Sequence, residues 1–266
     1  MKTIADAVRD FKKDPIVAEG LRLVERLPEP PPRDEVGEKR DEAAAERAAE
    51  DERKKKRLHE LTEIWGVPFA DAQQITTGVL VETPALEAVR KLRKHATYGA
   101  ILCLSGPNGC GKSLASSWLV VQGPPRDYPF GGPWPREHHP RYISVGDLQR
   151  VSLFGDDAEW RKIKAASVLA IDDVGTEFKD DKGAFAARFD QLIAHREKAP
   201  CWTVMTTNLT MRPRKQGDDS FSGKYGERVL DRLRRHGSAF LHLKNESLRP
   251  PSDHKKTTHD PNAKDR

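Results

Sequence analysis

Residues 106–113 read Gly106-Pro107-Asn108-Gly109-Cys110-Gly111-Lys112-Ser113: a glycine, four further residues, then glycine, lysine and serine. Glycines allow the backbone to turn several N–H groups toward one point, and a helix that follows adds its positive end. Such a loop holds phosphates, with Lys112 on the outer ones and the Ser113 hydroxyl on Mg²⁺. A second group closes the apolar run Val168-Leu169-Ala170-Ile171 with the carboxylates Asp172 and Asp173. A phosphate loop needs a carboxylate from a nearby strand end to hold Mg²⁺, which suits Asp172. Asp173 is then placed to act as base toward an attacking water. A third run, Val204-Met205-Thr206-Thr207, ends in Asn208, an amide able to orient water or touch a terminal phosphate. Finally, helical spacing puts Arg228, Arg232 and Arg235 on one face and Val229, Leu230 and Leu233 on another. That basic face fits a finger on a neighbour's phosphate, a contact to nucleic-acid phosphates, or a solvated surface.

These residues need a scaffold that delivers them to one edge. Five strand patterns, at 100–104, 141–145, 168–172, 202–206 and 239–243, alternate with helical patterns near 84–95, 113–121, 158–165, 183–197 and 225–235. The order predicts an α/β domain. The third, fourth and fifth strands read as apolar runs, as expected for a parallel sheet covered on both faces. The phosphate loop falls between the first strand and the helix after it.

Flanking segments differ in composition. Residues 1–27 have a loosely helical apolar spacing broken at Pro15, and 28–33 read as an extended proline-rich linker. Residues 35–60 are almost all alanine and charged residues, a solvated helix or a tether rather than core. The compact domain begins near Leu61 and runs to 249; residues 250–266 form a polar tail without an apolar period. Between 122 and 140 lie six prolines, three glycines, Trp134, Tyr128, Arg126 and Arg136: either a surface loop or a contact for a single strand.

The net charge of +5 permits a polyanionic partner without requiring one. Cys103, Cys110 and Cys201 lack metal spacing, which points to a reducing, cytoplasmic setting. No secretory apolar stretch opens the chain, and no run approaches a membrane-spanning length, so no membrane association is expected.

Taken in order, GPNGCGKS, VLAIDDVG, VMTTNL, YGERVLDRLRRHG and SAFLHLKNESLR resemble the AAA+ ATPases of the DnaC/IstB type, which are helicase loaders and transposition helper ATPases. The resemblance covers roughly residues 61–249. It implies a P-loop NTPase fold of the AAA+ type, a five-stranded parallel sheet in the order 5-1-4-3-2 with helices on both faces, behind a helical or disordered N-terminal extension. By the same resemblance Lys112 and Ser113 are Walker A residues and Asp172 and Asp173 the Walker B pair. Asn208 is sensor 1, Arg232 the arginine finger, Arg228 its box VII neighbour and Arg249 the sensor 2 residue. The implied cofactors are ATP and Mg²⁺. The implied activity is a slow, DNA- or partner-stimulated ATPase in an ATP-dependent homo-oligomer on single-stranded DNA, with residues 1–60 gripping a replicative helicase. Two alternatives stay open: an IstB-like helper acting with a transposase on duplex DNA, and a nucleotide-gated adaptor that hydrolyses little because Asp173 is shorter than the usual glutamate. Residues 1–60 depart from the loaders that carry a zinc site, having no cysteine and only His59. The insertion at 122–140 matches no motif of the family.

Overall fold

The computed structural model describes residues 35–95, 99–123, 139–180, 182–213, 215, 219–235 and 237–244. The expected helices in 1–27, the linker 28–33, nearly all of the 122–140 insertion, Arg249 and the tail lie outside these residues. The chain divides into two units, Met1–Glu52 and Arg53–Arg266.

Alanine, glutamate, lysine and arginine favour helix without any core to pack on, and they form α1 (Glu35–His59), whose residues 40–56 are exposed. Of the two forms expected for this segment, it takes the solvated helix. Its last turn is basic (Lys56, Arg57, His59), complementing the helix dipole. One π-helical turn, Glu60–Ile64, follows and buries Leu61.

From there α2 (Phe69–Thr77) and α3 (Pro84–His95) lead to β1 (Ile101–Ser105), α4 (Lys112–Gln122), β2 (Arg141–Ser144), α5 (Val145–Phe154) and α6 (Asp157–Ala165). The chain continues through β3 (Val168–Val174), α7 (Ala184–Glu197), β4 (Trp202–Thr207), α8 (Phe221–Tyr225), α9 (Glu227–Arg232) and β5 (Ala239–His242). All pairings are parallel and the strand order is β2-β3-β4-β1-β5, the order the resemblance implied.

Strand side chains alternate between two buried layers. Leu102, Leu104, Val168, Ala170, Trp202 and Val204 pack with α2, α3 and α4. Ile101, Cys103, Leu169, Ile171 and Met205 pack with α5 through α9. Both faces are thus covered, as apolar runs on β3 and β4 require. β5 differs from its expectation: at the sheet edge, bonded only to β1, its residues are exposed or half-buried.

Two helices have no counterpart in the sequence reading, α2 and α5. α5 carries a readable start, since the Asp147 N–H donates to Ser144 Oγ at 3.1 Å. The helix expected over 225–235 is shorter, α9 alone: Gly226 at φ +86° separates it from α8, and Arg235 lies beyond its end.

One buried cation holds the end of α7. Arg196 has no exposure and donates from Nε to Thr203 Oγ1 at 2.8 Å. Its other nitrogens donate to the carbonyls of Ala166 (2.8 Å), Lys164 (3.0 Å) and Trp202 (2.5 Å). It ties the end of α6 and the start of β4 to α7 without a carboxylate.

Candidate nucleotide-binding site

The loop 106–111 leaves the C-terminal end of β1, between β4 and β5. Gly111 sits at φ +85° as the residue before α4; a Cβ there would lie 2.8 Å from Thr83 Cγ2. Thr83 has no room to yield, since its Oγ1 caps α3 by accepting the Leu86 N–H at 3.0 Å. Only glycine satisfies both the conformation and the space.

Lys112 opens α4 with 6% of its surface exposed. Its Nζ donates to the carbonyls of Gly106 and Pro107, each at 2.8 Å, and to Asn208 Oδ1 at 3.0 Å. Cys110 Sγ lies 3.8 Å from the same nitrogen. Asn208 in turn donates from Nδ2 to Asn108 Oδ1 at 2.8 Å, so the amide leaving β4 meets the loop at two points.

Next to it Ser113 Oγ donates to Asp172 Oδ1 at 3.1 Å. Asp172 also accepts the Tyr142 hydroxyl on Oδ2, at 2.5 Å, and the Thr206 hydroxyl on Oδ1. A bulge makes this possible: the register between β3 and β4 shifts between Ile171 and Val174, so Asp172 and Asp173 together oppose Thr206. Asp173 has φ +57°, the one positive φ at a described non-glycine residue, and its N–H donates to Thr206 Oγ1 at 2.9 Å. Aspartate tolerates this region better than most residues. The bulge thereby turns two adjacent carboxylates in different directions, Asp172 toward Ser113 and Asp173 toward solvent.

Electrostatics follow from burial. The Tyr142 phenol is pushed well up by its burial and then by the Asp172 charge, so it stays a donor. On α2, Asp71 accepts the Ser117 hydroxyl at 2.7 Å. Burial raises its pKa above the ordinary value and the Asp172 charge adds to this, while the Ser117 hydrogen bond opposes both.

The structure therefore brings together the loop, Lys112, Ser113, Asp172, Asp173 and Asn208. The arginines lie elsewhere. Arg232, 15% exposed, is ion-paired through Nη1 with Asp190 and through Nε with Glu197 at 3.3 Å, both on α7. Arg235 pairs with Glu197 at 2.8 Å, and Arg228 is exposed. Three contributors were invisible in the sequence: Tyr142 and Thr206, which depend on the registers of β2 and β4 beside β3, and Asp71, which lies on a helix without a sequence signal.

This donor set fits a magnesium-bound nucleoside triphosphate. Lys112 is a buried cation whose bonded partners among the described residues are neutral, which suits an anion. The Ser113 hydroxyl and Asp172 carboxylate are adjacent hard oxygens at the start of α4, which suits Mg²⁺.

The chain matches no protein-family model and no curated protein. Among solved structures it is similar to the DnaC helicase loader, at 18% identity over 63% of this chain and 94% of that one, TM-score 0.45. It is also similar to DnaI, at 18% identity over 62% and 82%, TM-score 0.43. A third similar structure is domain III of the Thermotoga maritima replication initiation protein DnaA, at 20% identity over 62% and 65%, TM-score 0.41. By its own all-parallel strand order, the phosphate loop after β1 and the carboxylates ending β3, the chain has a P-loop NTPase fold.

Proposed function

We propose that this protein is an ATP- and Mg²⁺-dependent AAA+ ATPase that loads or remodels a replicative helicase on single-stranded DNA, with its active site completed by a neighbouring copy. The observation that carries the ATPase part is the meeting of Lys112, Ser113, Asp172 and Asn208 at one edge of the sheet. Lys112 and the loop N–H groups hold the phosphates, and Ser113 and Asp172 hold Mg²⁺, which supplies charge neutralisation on the outer phosphates. Asp173 accepts a proton from water, and Asn208 orients that water. Tyr142 and Thr206 keep the Asp172 carboxylate turned toward Ser113.

The arginines support the shared-site part. Arg228 is exposed on α9, where a second copy can meet it, and Arg232 lies one helical turn further along the same helix. In an assembly they reach the γ-phosphate held by the next copy. Helicase loading itself rests on the resemblance of residues 61–249 to the DnaC/IstB type, with residues 1–60 as the partner-binding part. The adaptor reading, ATP binding with little turnover, is favoured by one observation: Arg232 is engaged within its own chain.

The test is ATP turnover by the full chain with and without single-stranded DNA, alongside Arg232→Ala and Arg228→Ala. The expectation is DNA stimulation, and a loss in the arginine variants of about 10³-fold. Turnover insensitive to DNA and to both substitutions sinks the shared-site reading in favour of the adaptor. Co-purification of the tagged full chain with a hexameric helicase supports loading; with a transposase, it supports the IstB-like alternative.

A further inference from the structure

Beyond Asp173 the chain does something the nucleotide site does not explain. Glu177 lies in an exposed loop between Thr176 and Phe178, the latter 80% exposed, yet its own side chain is only 3% exposed. A carboxylate is withdrawn from water only at considerable cost unless donors replace the solvent. Three do. Glu177 Oε2 accepts the Gly175 N–H at 3.0 Å. Oε1 accepts the Tyr225 hydroxyl at 2.6 Å and faces Lys224 Nζ at 2.9 Å.

The partners belong to two functional elements. Gly175 follows the end of β3 directly, after Val174, whose carbonyl accepts the Thr207 hydroxyl at 2.5 Å. Lys224 Nζ also donates to the Gly175 carbonyl at 2.6 Å, so this one peptide segment is gripped on both its N–H and its C=O. Lys224 and Tyr225 end α8, and Gly226 alone separates them from α9 and its arginines. The Tyr225 ring is fixed by Phe189 and Phe221, with centroids at 4.7 and 4.9 Å, so its hydroxyl is aimed rather than free to swing. Beside the joint is a cleft of about 640 Å³, lined by Gly175, Glu177, Phe178, Lys224 and Tyr225, which leaves the segment room to shift.

We propose that Glu177 is a positioning residue that couples the exit of β3 in one copy's nucleotide site to the arginines the same copy presents to its neighbour. A displacement at Asp172 and Asp173 carries Gly175, and Glu177 passes that displacement through Lys224 and Tyr225 to the start of α9. The coupling rests on the shared-site reading given above. The aromatic contacts alone would hold α8 in place; the buried charge adds a directional link between that helix and the Gly175 peptide.

The experiment mixes full-length subunits. Glu177→Gln keeps the shape and removes the charge; Tyr225→Phe removes one hydroxyl and serves as the milder second variant. Each is compared with Arg228→Ala and Arg232→Ala. Binding of a fluorescent ATP analogue with Mg²⁺ stays within about twofold of wild type in E177Q and Y225F, while turnover falls about tenfold or more in E177Q and less in Y225F. Mixing E177Q with Lys112→Ala, which lacks a working loop but has intact arginines, restores turnover to the level of the R232A plus K112A mixture. The coupling is overturned if E177Q keeps its turnover, loses nucleotide binding, or is not rescued by K112A while the arginine variants are. If R228A and R232A also fail to be rescued, the shared site itself is wrong and the coupling falls with it.

Discussion

At the bulge in β3 two neighbouring carboxylates are sorted by backbone conformation: Asp172 is turned to Ser113 and Tyr142, while Asp173 is exposed at φ +57°. A glutamate at 173 would reach farther toward water but tolerates that conformation less well, so the local backbone favours the shorter acid. The division of labour predicts different losses. Asp172→Asn abolishes the gain in nucleotide affinity that Mg²⁺ gives, about tenfold or more, read by analogue titration with Mg²⁺ and with EDTA. Asp173→Asn leaves that titration unchanged and slows turnover by roughly 10²–10⁴. Equal effects of the two substitutions on binding would count against the assignment. Asp71 gives a test by pH. Its folded pKa lies above the ordinary 3.8, so the folded chain binds the extra proton; the associated stability is present below 3.8 and is lost as pH rises through the folded value. Asp71→Asn is therefore expected to raise Tm at pH 7 by a degree or two, with the gain shrinking as the pH approaches 3.8. A loss of Tm at pH 7 would contradict this.

Among the elements, α6, β4 and α7 meet at Arg196. Arg196→Met keeps much of the side-chain volume but strips donors from the Ala166, Lys164 and Trp202 carbonyls, at about 1–3 kcal/mol for each group left unsatisfied. Thermal melting should show a Tm lower by roughly 5 °C or more; a change within a degree would show that water replaces the guanidinium. The strands that frame the site were legible because β3 and β4 are continuous apolar runs and the loop has a fixed spacing. What escaped was set by contacts between distant segments. The implied strand order set β2 beside β3, but no local signal gives the register that places Tyr142 opposite Ala170 and its hydroxyl at Asp172. The helix break at Gly226 had a local signal, a glycine, but the apolar period of 229–233 outweighed it. The cap at Ser144 was likewise readable, since a serine precedes Asp147 at capping distance.

For the molecule as a whole, the net charge of +5 is modest, and affinity for single-stranded DNA should depend on assembly. Fluorescence anisotropy is expected to show tighter binding with a non-hydrolysable ATP analogue. The log–log dependence on salt should be negative, by about 0.7 for each phosphate engaged. Binding indifferent to nucleotide and salt would remove DNA from the mechanism. The ion pairs of Arg232 with Asp190 and Glu197 bear on the same question. If α9 completes a neighbour's site, those two carboxylates compete with that neighbour's phosphates for the same guanidinium. A solitary subunit then keeps its arginine neutralised, and each joining event must displace an internal rival. Such competition sets a concentration threshold for assembly, above which copies add and below which they stay apart.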